Sequence, residues 1–432
     1  MKGRLNLFQK TMLRWRELHP YNAVHVVRID QPLDAARLTA VIDGYLQELG
    51  LTGLVLDAAR ARFEYTGGPA NTVLRVRPGG DDPMTVLARE IERELNTPFA
   101  RDGRQSPFRF FAIDAGPSFR LGLAYDHFIA AGDSIVMLLQ GIYARHCGKA
   151  TAQAPAGPLA RYPATYRRLF LRHPWSAVRG LGGLVDLVAS CRRSVRPRYP
   201  GGTDPRNAYT YCRLDPPEFA AMVRAAKAWG VTVNDVLLAM LLRVMEPLAG
   251  ERTPTQRRHE LAVASIVNLR RDFALDANTS FGQFLSSFRV SHPLPPGIAL
   301  RDLARDVNAV TRRAKSSKRY LQTLLAMGVS ALQWRFLSAE ERRVFHARNY
   351  PVWGGLTMLN VDALWAHAGG EMPPPEYLRA VPTGPLTPLV VAVTTAAGVL
   401  HAGISYRTAA FDSATTDRIA AGILACTREL DT

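Results

Sequence analysis

Apolar residues fall at helical spacing between Leu5 and Leu18, where Leu5, Phe8, Met12 and Trp15 mark one face. After the break at Pro20-Tyr21-Asn22, the β-branched run Val24–Ile29 predicts a strand, and Asp34–Leu46 returns to a helical period. Short strands follow at Arg62–Tyr65 and Val73–Val76, then a helix over Pro83–Leu95 with Asp82 as its N-cap. In the second half, strands are predicted at Tyr209–Leu214, Leu261–Ile266, Phe284–Val290, Leu356–Leu359, Leu389–Thr395 and Val399–Tyr406. Helices are predicted over Pro216–Trp229, Val233–Leu248, 300–316, 319–336, 338–348 and 412–429. Strands and helices mix without regular alternation, so the fold class is α/β of the α+β kind, a layered sandwich in each half. The expected organisation is an N-terminal unit over 1–150, a Pro-, Gly- and Arg-rich irregular crossover over 151–206, and a C-terminal unit over 207–432.

One segment carries candidate chemistry. Phe108–Ile113 and Phe119–Tyr125 read as two strands around the turn Ala115-Gly116-Pro117. The second runs into Asp126-His127 and a short loop, and Ser134 is placed to cap a helix reaching about His146. Strand, histidine-bearing loop and helix together can present an imidazole at a cleft. Taken alone, a single histidine there reads as structural.

Composition narrows the class. A chain of 432 residues with 47% apolar and 21% charged residues has the balance of a globular protein and the length of two units. A formal charge of +17 favours anionic partners. Nucleic acid is disfavoured because no basic and aromatic recognition module accompanies the charge. Cys147, Cys191, Cys212 and Cys426 lie far apart with no CxxC pair, so neither a metal site nor a disulfide framework is expected. The N-terminal stretch has charges every few residues, and no run of 18 apolar residues exists, so a cytoplasmic location is expected. A GxSxG elbow, HExxH, a P-loop and a strand-borne GxGxxG are all missing, which removes the commonest hydrolase, metallopeptidase and nucleotide-binding readings.

Asp126–Ser134 resembles the HHxxxDGxS loop of the CoA-dependent acyltransferase superfamily, which includes peptide condensation domains and wax ester synthases. His127 takes the place of the catalytic second histidine, Gly132 that of the glycine and Ser134 that of the serine. Thr232–Ala239 is similar to the TVNDVVLA stretch of wax ester synthases, and Val267–Arg271 to their PVSLR strand end. Ser280–Phe284, Leu359-Asn360-Val361 and the segment from Ile404 through Phe411-Asp412 follow in the family's order, so the resemblance spans about residues 5–430. It implies two chloramphenicol-acetyltransferase-like subdomains in a V with a channel between them. His127 would act as general base, moving an acyl group from a CoA or carrier-protein phosphopantetheine thioester to an alcohol or amine. No permanently bound cofactor is implied. Asn234 and Asn360 are candidates for the channel wall, and Asn360 or the Gly132 amide for steadying an oxyanion.

Two departures stand out. Asp126 occupies the first histidine's position, and Ala131 that of the loop aspartate, which in relatives meets an arginine from the second half. Arg270 is the nominee for that arginine. Either Asp126 or Asp133 supplies the missing carboxylate, or the loop is held differently. A third outcome is a degenerate member that binds a carrier protein or lipid without catalysis. Finally, nine arginines between Arg161 and Arg198 face a single acid, Asp186. This reads as a solvated surface, as a dock for an acidic carrier protein, or as a peripheral contact with an anionic membrane.

Overall fold

The computed structural model describes residues 2–148, 165–202, 204–253, 255–275, 280–367 and 374–430. Arg161 and the rest of the early crossover lie outside them. Two large sheets organise the chain. The first has the order Tyr377–Ala380, Asn22–Ile29, Phe119–Asp126, Phe108–Asp114, Leu74–Pro78, antiparallel except for its last pair. The second has six strands in the order Leu285–His292, Leu261–Asn268, Gly354–Asn360, Leu389–Ala396, Val399–Arg407, Asn207–Leu214. A small four-stranded sheet built on Leu54–Asp57 and Arg62–Tyr65 sits beside the first.

Each large sheet has its own apolar core. Leu38, Ile42, Leu121, Leu123, Ile135 and Leu139 belong to the first, and Val236, Met240, Val263, Leu303 and Val391 to the second. Strands Asn22–Ile29 and Leu389–Ala396 are buried on both faces, which is why neither alternates apolar and polar residues. Local chemistry sets the helix starts. Asp82 accepts from the Met84 and Thr85 amides with Pro83 in the first turn, as expected from the sequence. Thr232 and Asp235 form a reciprocal capping box for Val233–Met245. Asp235 also accepts from Asn308 and Thr311, both at 2.7 Å, so the aspartate of the Thr232–Ala239 stretch ties two core helices together.

The crossover is more regular than its Pro- and Gly-rich composition suggests: Pro174–Arg193 forms a 20-residue helix resting on helix Tyr320–Gln333. Proline costs nothing at its first position, where the amide has no helical partner. The two halves are joined by strand exchange. Tyr377–Ala380 belongs to the second half in sequence but pairs with Asn22–Ile29, placing Arg379 opposite His25. From there the Arg379 guanidinium donates to Thr394 Oγ1 at 2.9 Å, Val393 O at 2.6 Å and Thr357 O at 3.1 Å, all on the second sheet. The backbone contact is equally close, since a Cβ on Gly403 would lie 1.9 Å from the Arg379 carbonyl oxygen.

Candidate active site

Strand Phe119–Asp126 ends where the two sheets approach, and the loop that follows is tied down by its backbone. The His127 amide donates to Tyr21 O at 3.1 Å, and its carbonyl accepts from Gln283 Nε2 at 2.7 Å. The Ala131 amide donates to Gly282 O at 2.9 Å. Helix Gly132–His146 begins at once, with Ala131 as an N-cap that offers no side chain. Ser134 is therefore not the cap the sequence suggested. Its hydroxyl is already engaged, taking bonds from Arg270 Nη2 at 2.6 Å and from the Gly282 amide at 3.1 Å.

Asp133 meets Arg270. The carboxylate pairs with Arg270 Nη1, and both side chains are buried. Asn268 Nδ2 donates to the same Asp133 oxygen, and Arg270 Nε donates to Ser280 Oγ at 2.9 Å. Asp126 looks the other way and pairs with Arg16 of the first helix, Leu7–Leu18. Burial outweighs that cation and raises the Asp126 carboxyl to about 6.

His127 forms part of the wall of a cavity of about 670 Å³ between the two sheets. Tyr21 and Tyr125 flank its ring, with centroids 5.6 and 5.7 Å away. Its Nδ1 is buried and makes no hydrogen bond of normal geometry. Burial pushes the imidazole down to about 4, with the Ala130 carbonyl pulling in the opposite direction, so the ring is neutral at physiological pH. Gly132 is a site of close approach: a Cβ there would lie 2.8 Å from Leu359 Cδ1 and 3.3 Å from both Arg379 Nη1 and His25 Cε1.

The two asparagines do not join this site. Asn234 lies in the first turn of Val233–Met245, away from the cavity wall. Asn360 is exposed, and its side-chain oxygen accepts from the Ala363 amide to start a short helix. Sequence reasoning missed His25 and Arg379, which do line the cavity. Both sit in strands that look like ordinary core, where a polar residue in an apolar run is the only available signal. The wall includes seven arginines (Arg14, Arg192, Arg196, Arg257, Arg258, Arg348 and Arg379) and one carboxylate, Asp133. Among the described residues no His, Cys, Asp and Glu cluster could hold a metal ion. No single described helix is long and apolar enough to cross a membrane, and the bent pair Pro216–Trp229 and Val233–Ala249 turns through 101°.

No protein-family model matches the chain, and no curated protein matches it in sequence. Solved structures do match in shape. The first condensation domain of the CDA synthetase aligns with a TM-score of 0.69 at 15% identity, over 100% of this chain and 96% of that one. SgcC5 from Streptomyces globisporus aligns at 0.67 and 16% identity, over 98% of both chains. The starter condensation domain of rhizomide synthetase aligns at 0.67 and 12%, over 100% of this chain and 95% of its own. This chain has the condensation-domain fold over its full length.

Proposed function

We propose that the protein is an acyltransferase that moves an acyl group from a phosphopantetheine thioester, on CoA or a carrier protein, to a hydroxyl or amine acceptor. The supporting observation is the position of His127, a neutral imidazole in the wall of a cavity between two sheets. In the proposed reaction the acceptor's O–H or N–H attacks the thioester carbonyl as His127 takes its proton. The new C–O or C–N bond forms, the tetrahedral intermediate collapses, and the C–S bond breaks. The leaving thiolate then receives the proton from the imidazolium. A thiolate leaves readily, so neither an acyl-enzyme nor a permanently bound cofactor is required. The rhizomide domain, of the same fold, was crystallised with C8-CoA and Leu-SNAC, which fits a thioester substrate here.

Arginines dominate the cavity wall, a suitable lining for phosphate-bearing donors or an acidic carrier protein. A non-catalytic binding protein is the competing reading, and it drew its strength from Ala131. The Asp133–Arg270 pair weakens that argument, because the loop has a carboxylate and the arginine a partner. The test is transfer measured by mass spectrometry on a panel of acyl-CoA thioesters and small alcohols and amines. His127→Ala should fold normally and lower turnover by about 10²–10⁴-fold. A folded variant with the parent rate would remove His127 from the chemistry.

A further inference from the structure

Arg379 is almost wholly buried, yet no carboxylate pairs with it among the described residues. Two of its three nitrogens are spent on the clamp to Thr394, Val393 and Thr357. That clamp gives the residue a sufficient structural role, and if it were the whole role, the third nitrogen would be sealed in protein. It is not. Nη1 has no bond to any described residue and is absent from the buried, unsatisfied atoms, so it opens onto the cavity that Arg379 lines. The glycine at position 132 leaves space in front of it.

The charge count around that nitrogen is unbalanced. Among the described residues Asp133 is the one carboxylate in the cavity wall, and Arg270 with Asn268 already holds it. His25, opposite Arg379 in the sheet, is held neutral by burial, as is His127. Burial lowers the Arg379 guanidinium to about 10, a mark of a cation without enough compensation. A buried charge without a counter-ion is costly, and the clamp stops this one from retreating to solvent. An anion delivered by a ligand resolves the imbalance, and the free Nη1 can donate a charge-assisted hydrogen bond to a carboxylate oxygen.

We propose that Arg379 is an anion-binding residue of the cavity and selects an acceptor that carries a carboxylate. Calling the ligand the acceptor rests on the acyl-transfer reading; the binding site itself does not. The test uses the full chain and matched acid and amide probes: 3-hydroxybutanoate against 3-hydroxybutanamide, and alanine against alaninamide, titrated calorimetrically. The acids should bind about tenfold more tightly than the amides. Arg379→Gln should erase the preference, and Arg379→Lys should keep part of it. If the glutamine variant does not fold, Gly132→Ala serves instead: its methyl group would stand 3.3 Å from Nη1, with the Leu359 side chain, met at 2.8 Å, giving way. Equal binding of acids and amides by the parent, or a preference that survives in a folded Arg379→Gln protein, would overturn the proposal. Acid-selective binding without any transfer would sink the catalytic reading and leave this one standing. Transfer at equal efficiency to acids and amides would do the reverse.

Discussion

Burial decides the protonation state of His127 before any substrate arrives. A free imidazole takes a proton near 6.5, whereas the desolvated ring in the cavity does so only at about 4. Between those values the unfolded chain binds a proton that the folded chain refuses. Stability from this group is therefore complete above about 6.5 and lost as pH falls toward 4. With His127 as the proposed base, catalysis should follow the same sign, because the ring is neutral throughout pH 5 to 8. The kcat/KM profile for acyl transfer should stay flat down to about pH 5 and fall with an apparent midpoint of about 4. Asp126, raised to about 6, titrates inside that window and holds Arg16 only while ionised. An acidic limb near 6 that vanishes in Asp126→Asn belongs to the aspartate. One near 6.5 that survives in Asp126→Asn would show a solvated His127 and contradict the buried site.

The loop between strand Phe119–Asp126 and helix Gly132–His146 shows what a sequence can and cannot disclose at the scale of one element. The strand, the histidine after it and the helix were legible, because each element is a largely apolar run of the right length, bounded by a turn or a loop. The choice between Asp126 and Asp133 as Arg270's partner was not legible. The two lie seven residues apart and point to opposite sides, one toward Arg16 from the first helix and one toward the end of strand Leu261–Asn268. Only the fold brings those cations to the loop. Arg379 escaped notice for the same reason: its strand joins the first sheet from some 350 residues away. Asn360 misled because a cap for the following short helix looks the same in sequence as a channel residue. The geometry of the pair gives a sharp expectation. Asp133→Ala should strand a buried guanidinium and cost roughly 3–5 kcal/mol. Arg270→Ala should cost a similar amount, and the double variant less than the two added, because the pair acts as a unit. Moving the carboxylate two residues back, with Ala131→Asp in the Asp133→Ala background, should recover part of the loss. Ala131→Asp alone should destabilise, since it buries a second carboxylate beside an arginine that is already taken. Thermal melts of the five proteins decide this, and additive losses for Asp133 and Arg270 would count against the pair as the loop's anchor.

At the scale of the whole molecule, a charge of +17 is spread so that part of it reaches the cavity wall. Several of those arginines are structural. Arg258 donates to the Cys191 and Ser194 carbonyls, and Arg196 to Arg348 O, so they hold the C-terminal end of helix Pro174–Arg193 in place. Arg192 is exposed at that end, while Arg167 and Arg168 project from the short helix before Pro174. Exposed apolar side chains stand on the long helix, Trp175 and Val185, and on and after helix Tyr320–Gln333 against which it packs, Val329, Leu332 and Phe336. The combination suits an anionic partner with apolar substance, as a phosphopantetheine arm or an acidic carrier protein would be. An encounter surface of this kind changes how substrate arrives and leaves the chemistry alone. Replacing Arg167, Arg168 and Arg192 together by glutamine should therefore raise KM for the thioester donor with kcat unchanged. The difference between variant and parent should shrink as salt rises past about 0.15 M, where screening acts over about 8 Å. Steady-state kinetics at two ionic strengths separate the cases. A fall in kcat at saturating donor would place these arginines at the reacting centre, and an unchanged KM at low salt would remove them from donor recognition.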